Sequence, residues 1–342
     1  MKKTLALLMM ICFIIIQTSA QNPEDFSFAK SFKISTPAEI DISTNDGFIH
    51  AFANKSNEIK VFFIVRKNNR VVDMDLEELE EHLTVDIQSG GDKLTIAIKR
   101  READWIQNWK NRYYVSLHIL APAQTTCNLK SSDGDIELYG FAGNQSCRTS
   151  DGDILAENID GDLYAKTSDG DISVTSIKGN LETRTSDGDI SARNIRGESI
   201  FKTSDGKIVM QDLFGDVEAV TSDGDIVMEN VSGKHNLRTS DGNIQFENMK
   251  GALSAQTSDG NIQGDFNSLI DRLYLKTSDG DISVAVPNGL GMDVRLKGED
   301  IHTKLDNFSG DTSDNLIEGT IRGGGVEVEL VSSDGDISLL YR

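Results

Sequence analysis

Apolar positions along this chain follow two superposed periods, and the longer one organises the shorter. From about residue 126, apolar and polar residues alternate in short runs such as Leu163-Tyr164-Ala165-Lys166 and Ile172-Ser173-Val174-Thr175. That two-residue period marks a β-strand with one buried face. Phrases of the type Thr-Ser-Asp-Gly-Asp-Ile punctuate the runs, with Ser at 132, 150, 168, 186, 204, 222, 240 and 258, every step being 18 residues. Another copy has Ser278 after a step of 20, one more has Ser333, and a diverged version, Thr44-Asn45-Asp46-Gly47-Phe48-Ile49, lies near the start. A fixed short period means growth along one axis, and two strands plus two turns per 18 residues describe coils stacked about 4.8 Å apart. The expected fold is all-β, a single-stranded parallel β-helix or β-roll.

Alternation then sorts residues into columns along the axis. One inward column is Ile154, Ile172, Ile190, Ile208, Ile226, Ile244, Ile262 and Ile282, and the next is Ala156, Val174, Ala192, Met210, Met228, Phe246, Gly264 and Val284. The facing strand contributes Leu163, Leu181, Ser199, Val217, His235, Leu253 and Leu273 beside Ala165, Thr183, Phe201, Ala219, Leu237, Ala255 and Leu275. Where bulk or apolarity is lost at Ser199 and His235, Phe201 and Leu237 restore volume. His235 lacks metal-site company in these columns and reads as a structural substitution, hydrogen-bonded at the core's edge. In each phrase the threonine hydroxyl is expected to bond between rungs, the glycine to supply a positive φ, and the first aspartate to accept an N–H across the turn. Asn158, Asn194, Asn230 and Asn248 precede the opposite corner and read as amides bridging rungs.

Outside the array the pattern changes. Lys2, Lys3, the apolar run Leu5 to Ile16 and Thr18-Ser19-Ala20 read as a signal peptide over 1–20, which predicts an exported protein: periplasmic, outer-surface or secreted. No later stretch is long and apolar enough for a transmembrane helix. Residues 21–125 read as a β-rich cap with a short helix over Leu76 to Leu83, capped by Asp73 or Asp75, and continuous with the regular array at 126–286. Residues 287–342 read as irregular C-terminal rungs, with a loop from Asp311 to Leu316 and the Ser333 phrase as the final rung. Trp105, Trp109 and Tyr113 are a candidate ligand surface, weighed against simple packing within the cap.

Charge narrows the partners. The chain has 34 Lys plus Arg against 55 Asp plus Glu, a net −21, so no nucleic acid is expected as partner. Stacked corners place Asp151, Asp169, Asp187 and Asp223 in one acidic row and Asp153, Asp171, Asp189 and Asp225 in a second. Like charges in register are unfavourable unless hydrogen-bonded, screened or bridged by cations, which makes these residues candidate calcium ligands. The competing and favoured reading is turn chemistry with solvated carboxylates, so no cofactor is assigned. Lys207, Asn243 and Asn261 break the second row, and the Gly-Gly-x-Gly-x-Asp spacing of calcium-binding rolls is absent. Cys127 and Cys147 project inward on adjacent rungs, roughly 8 Å apart by register, beyond ordinary disulfide reach; two buried thiols are favoured over a bridge, which a bulge around Gly140-Phe141-Ala142-Gly143 would allow.

The Ser-Asp-Gly-Asp-Ile phrases from Ser132 to Ile282, with Gly319-Thr320-Ile321-Arg322-Gly323-Gly324-Gly325 and Ser333-Asp334-Gly335-Asp336-Ile337, resemble a family of secreted bacterial β-helical proteins labelled "putative adhesin", a domain of unknown function. The resemblance spans about residues 35–342 and implies no catalytic residues. The leading expectation is a non-enzymatic secreted or surface-associated structural or adhesin-like protein that presents an extended acidic face to a surface glycan or protein ligand. Two alternatives stand beside it: a glycan-binding or glycan-processing β-helix, and a calcium-stabilised roll. No nucleophile elbow, His-Glu-x-x-His or phosphate-binding loop is present.

Overall fold

A computed structural model describes residues 25–101 and 112–342. The predicted signal peptide, Trp105 and Trp109 lie outside the described residues. The strands join into one sheet wound as a parallel β-helix. Strand Ile172–Lys178 pairs in parallel with Ile154–Asp160 on one side and Ile190–Arg196 on the other, and Leu181–Arg184 pairs likewise with Leu163–Lys166 and Ser199–Lys202. Ile154 through Ile282 stack in register as expected, each at most 1% exposed.

The first strand of each rung bends. Asn158, Ser176, Asn194, Asp212, Asn230 and Asn248 all adopt left-handed backbone, with φ between 53° and 60°. Asn and Asp tolerate this region better than most residues, which accounts for five of the six. The bend reverses the in/out phase and gives each rung a third inward side, occupied by Phe141, Ile159, Ile177, Ile195, Leu213, Val231 and Met249, all buried. Strict alternation hides this column. The expected amide bridges reduce to two bonds from these asparagines to the preceding rung, Asn194 Nδ2 to Ser176 Oγ at 3.0 Å and Asn230 Nδ2 to Asp212 Oδ1 at 3.1 Å. Backbone conformation is the larger requirement at these positions.

At the Ser-Asp-Gly corner the structure corrects the reason for glycine. Gly188 does not have positive φ; a Cβ there would lie 1.9 Å from the carbonyl oxygen of Gly170, one rung earlier. Space, not torsion, excludes a side chain. The opposite corner matches the torsional argument, Gly179 having φ 148°. Beside each tight corner a buried threonine acts as a bolt. Thr185 Oγ1 lies 3.0 Å from both Ser168 O and Gly170 O, toward which it donates, and accepts the N–H of Gly188 at 3.3 Å. The same set recurs at Thr167, Thr203, Thr221, Thr239, Thr257 and Thr277.

The ends depart from chain order. Ala38–Ser43 lies between Thr125–Lys130 and Lys93–Arg100, and Ile49–Asn54 between Ile136–Tyr139 and Tyr113–Pro122. The diverged phrase at Thr44 is therefore a true rung, while Lys93–Arg100 and Tyr113–Pro122 lie outside it. The other end repeats the device. Ile337–Tyr341 inserts between Ile282–Val286 and Ile301–Thr303, and Val326–Val331 inserts between Arg272–Lys276 and Met292–Lys297. The Ser333 phrase is thus the penultimate rung rather than the last.

Antiparallel strands then cover the outer edges. Leu83–Gly90 lies on Lys93–Arg100, Glu58–Lys67 on Tyr113–Pro122, and Phe28–Lys33 on Glu58–Lys67. At the C-terminal end Leu316–Ile321 lies on Met292–Lys297, with Phe308–Thr312 outside it. The segment from Asp311 to Leu316, expected as loop, is mainly the tip of this hairpin. Such edges would otherwise invite pairing with another chain. The helix is Leu76–His82, with Asp75 and Glu78 forming a capping box and Leu79 buried.

Gly188→Ala is expected to lower stability by about 2 kcal/mol, because the carbonyl it meets belongs to backbone and cannot turn aside. Gly90→Ala, which meets nothing within 4 Å, is the control. Thermal unfolding followed by circular dichroism checks the pair; equal midpoints for Gly188→Ala and the parent would contradict close stacking at this corner.

Candidate functional site

The two acidic rows have different roles. In the second, each carboxylate accepts the backbone N–H of its counterpart on the next rung: Asp171 N–H to Asp153 Oδ1 at 2.8 Å, Asp189 N–H to Asp171 Oδ1 at 2.8 Å, and Lys207 N–H to Asp189 Oδ1 at 2.7 Å. After the break at Lys207 the ladder resumes at Asp225, and asparagine makes the same bond: Asn261 N–H to Asn243 Oδ1 at 2.9 Å and Asp281 N–H to Asn261 Oδ1 at 2.8 Å. It then follows spatial rather than chain order, Asp336 N–H to Asp281 Oδ1 at 2.9 Å and Asp300 N–H to Asp336 Oδ1 at 3.2 Å. Charge is therefore dispensable in this row; an acceptor oxygen is what the corner needs.

In the first row Asp151, Asp169, Asp187 and Asp223 are exposed. Their backbone N–H groups donate to the serine carbonyl one rung earlier, as Asp169 N–H does to Ser150 O at 2.9 Å. The acceptor role expected of this row thus belongs to the second. Among the described residues no group of three or more His, Cys, Asp and Glu is arranged to hold a metal ion.

Of the aromatic candidates, only Tyr113 is described. Its ring stacks on His82 at 4.5 Å, and its hydroxyl accepts from Lys67 Nζ at 2.9 Å. It is half-buried and braced within the cap.

The buried titratable groups lie elsewhere. His235 is 3% exposed and neither ring nitrogen has a hydrogen-bond partner, contrary to the bonded imidazole expected. Desolvation lowers its pKa to about 4, partly opposed by Asp216. Cys127 and Cys147 are free buried thiols; burial pushes Cys127 well up, and Cys147 up to about 12. These sulfurs are poor nucleophiles.

Two histidines and a glutamate far apart in sequence share adjoining rungs. His118, His50 and Glu137 occupy one register line, with His50 Nε2 3.6 Å from Glu137 Oε1 and stacked on Phe48 at 4.0 Å. Burial, with His118 and Arg66 adding to it against Asp135, lowers His50 to about 4. The signal for this grouping was the diverged Thr44 phrase, which marks a rung; it does not reveal that Tyr113–Pro122 stacks outside it. A shallow groove of about 310 Å³ lies near the other end, lined in part by Gln245, Glu247, Gln263, Asp265, Ser283 and Leu340. Its Asp265 is held by Arg342 at 2.7 Å.

Residues 159–340 match the family model described as Toastrack DUF4097. No curated protein matches the chain. Among solved structures, one described as a putative adhesin from Bacteroides fragilis is 12% identical, covering 77% of this chain and 98% of its own, with a TM-score of 0.33. One described as a putative cell adhesion protein from Clostridium sporogenes is 10% identical, covering 92% and 99%, with a TM-score of 0.19.

Asp171→Asn is expected to leave the melting temperature unchanged, whereas Asp171→Ala removes the acceptor for the Asp189 N–H and costs about 1 kcal/mol; calorimetry on the two variants separates an oxygen requirement from a charge requirement.

Acid should also weaken the fold. His235 and His50 have folded pKa values below the unfolded 6.5, so the unfolded chain binds more protons below that pH. Their neutral forms support full stability above pH 6.5, and it falls as the pH drops toward about 4. His235→Leu should narrow the difference in melting temperature between pH 7.5 and pH 4.5, and an unchanged difference would remove His235 from the account.

Proposed function

Starting from the fact that the chain belongs to the Toastrack DUF4097 family, we propose that it is a non-enzymatic, adhesin-like protein, exported and displayed or released at a cell surface, whose rod engages a surface ligand with its outward faces. The observation that carries this reading is the stacking of corners from the Thr44 rung to the Ser332 rung, in register except for the bulges between Phe246 and Leu253. Stacking of that kind turns every outward position into a continuous line along the axis, the geometry with which solenoids present extended binding surfaces.

Two of the repeated polar positions are committed internally. Threonine hydroxyls and second-row carboxylates bond from rung to rung, which supports reading those carboxylates as scaffold rather than as the paired acids of glycan cleavage. The leader-like residues 1–20 support export. Among the described residues no helix is long and apolar enough to cross a membrane.

Labelled protein applied to immobilised glycans, matrix proteins and intact bacterial cells is expected to be retained by at least one of these surfaces in a saturable manner. Absence of saturable retention on all of them would overturn the reading.

A further inference from the structure

A chain of net −21 carries, among the described residues, a long line of positive charge. On the strand leading into the Thr-Ser-Asp-Gly corner, the outward residue just before the hydroxyl bolt is Lys130, Arg148, Lys166, Arg184 and Lys202 on five consecutive rungs, in register. The line passes Val220, returns at Arg238, passes Gln256, and returns at Lys276. At about 4.8 Å per rung the first five span about 19 Å. Like charges at this spacing repel, and nothing in the corner chemistry requires them, since the bolt, the glycine and the acceptor oxygen are other residues.

Nor do they serve to neutralise the corners. Arg184 pairs with Glu182 at 2.6 Å and Lys202 with Glu218 at 2.8 Å, both carboxylates standing in the neighbouring outward line. Among the described residues, no ion pair joins the cationic line to either aspartate row, and Lys130, Lys166, Arg238 and Lys276 are exposed without an ion pair. The neighbouring line also holds Asn128, Ser146, Tyr164, Ile200 and Asn236; Arg148 donates to Asn128 Oδ1 and Ser146 Oγ, and Asn128 donates to Asp41. Arg148 lies over the Tyr164 ring at 4.6 Å.

We propose that this line is the docking surface for a linear anionic polysaccharide lying along the rod axis, its carboxylates or sulfates meeting the cations and its hydroxyls meeting the amides and hydroxyls alongside. The proposal rests on the surface-binding reading above and names its ligand class. Duplex nucleic acid fits poorly: it carries a charge about every 1.7 Å, whereas this line offers one cation per rung beside exposed aspartates. A polysaccharide with sparser charge matches the spacing and uses the neutral polar groups.

The test measures retention of the whole protein on polygalacturonate, heparin, neutral dextran and a DNA duplex across a salt series. Retention is expected on one or both anionic polysaccharides and not on dextran, declining linearly in log salt; the polygalacturonate and heparin arms distinguish carboxylate from sulfate. The variant K166E/R184E/K202E should lose at least tenfold in affinity and K166Q/R184Q/K202Q less. K178E/K207E/K250E, which changes net charge equally away from the line, should bind as the parent does.

Circular dichroism verifies that each variant is folded, and the Gln variant decides the matter if the Glu variant is not. Equal binding by the line and control variants, or stronger retention on DNA than on either polysaccharide, would overturn the proposal. If the parent is retained by cells or matrix but by neither anionic polysaccharide, this assignment fails while the surface-binding reading stands; if nothing retains it, both fail.

Discussion

The structure depends on how little room one corner leaves for the next. A Cβ on Gly188 would sit 1.9 Å from a backbone oxygen, and the threonine beside it reaches back to two carbonyls of the previous rung. Once one corner takes this form, the next has a single position available to it. Register is otherwise weakly specified in a stack of similar strands, and a slip of one residue would turn the isoleucine line outward. The bolt and the close contact fix that register at every rung, so burial of the three inward columns follows from the corner as much as from their own apolarity.

That constraint also explains the ends. A parallel stack grown by repetition must stop, and its last strand exposes unpaired backbone. Here the chain runs past the last regular rung, lays down an outer rung and an antiparallel hairpin, and returns to fill the gap. Gly335 stacks on Gly280 although 292–321 intervene in sequence. The N-terminal end uses the same exchange, with Ala38–Ser43 inside Lys93–Arg100 and Ile49–Asn54 inside Tyr113–Pro122. Three of the outermost parallel strands, Lys93–Arg100, Tyr113–Pro122 and Met292–Lys297, meet antiparallel neighbours, and the fourth, Ile301–Thr303, is kept to three residues.

The repeating body was legible because its information is local and recurrent. The 18-residue step gives the rung, and alternation gives four inward columns that are buried as read except at Gly264. The third side was harder, since the left-handed residue at Ser176 breaks the alternation on which that reading rests; the recurring apolar residue before each opposite corner, Ile177 among them, carried the signal. The roles of glycine and aspartate were misassigned because turn propensity describes an isolated turn, and these turns meet copies of themselves. Rung order at the ends is a long-range property that no periodicity encodes. For function, Tyr113 was found braced within the cap, and the cationic line went unnoticed because net charge averages it away.

Stacking makes the two signs of charge comparable, since both stand one per rung at the same spacing. In the second aspartate row each carboxylate has an N–H directed at it from the neighbouring rung, and asparagine substitutes without loss of the bond; structure alone accounts for the residue type. In the cationic line the backbone supplies no partner, and lysine and arginine alternate freely, which is the pattern expected when positive charge rather than a particular bond geometry is what matters. An internal requirement that accepts Asp or Asn and an outward position that holds Lys or Arg are therefore different kinds of constraint. The first is met within the molecule, and the second directs the search for a ligand to the face before the corner rather than to the acidic corner itself.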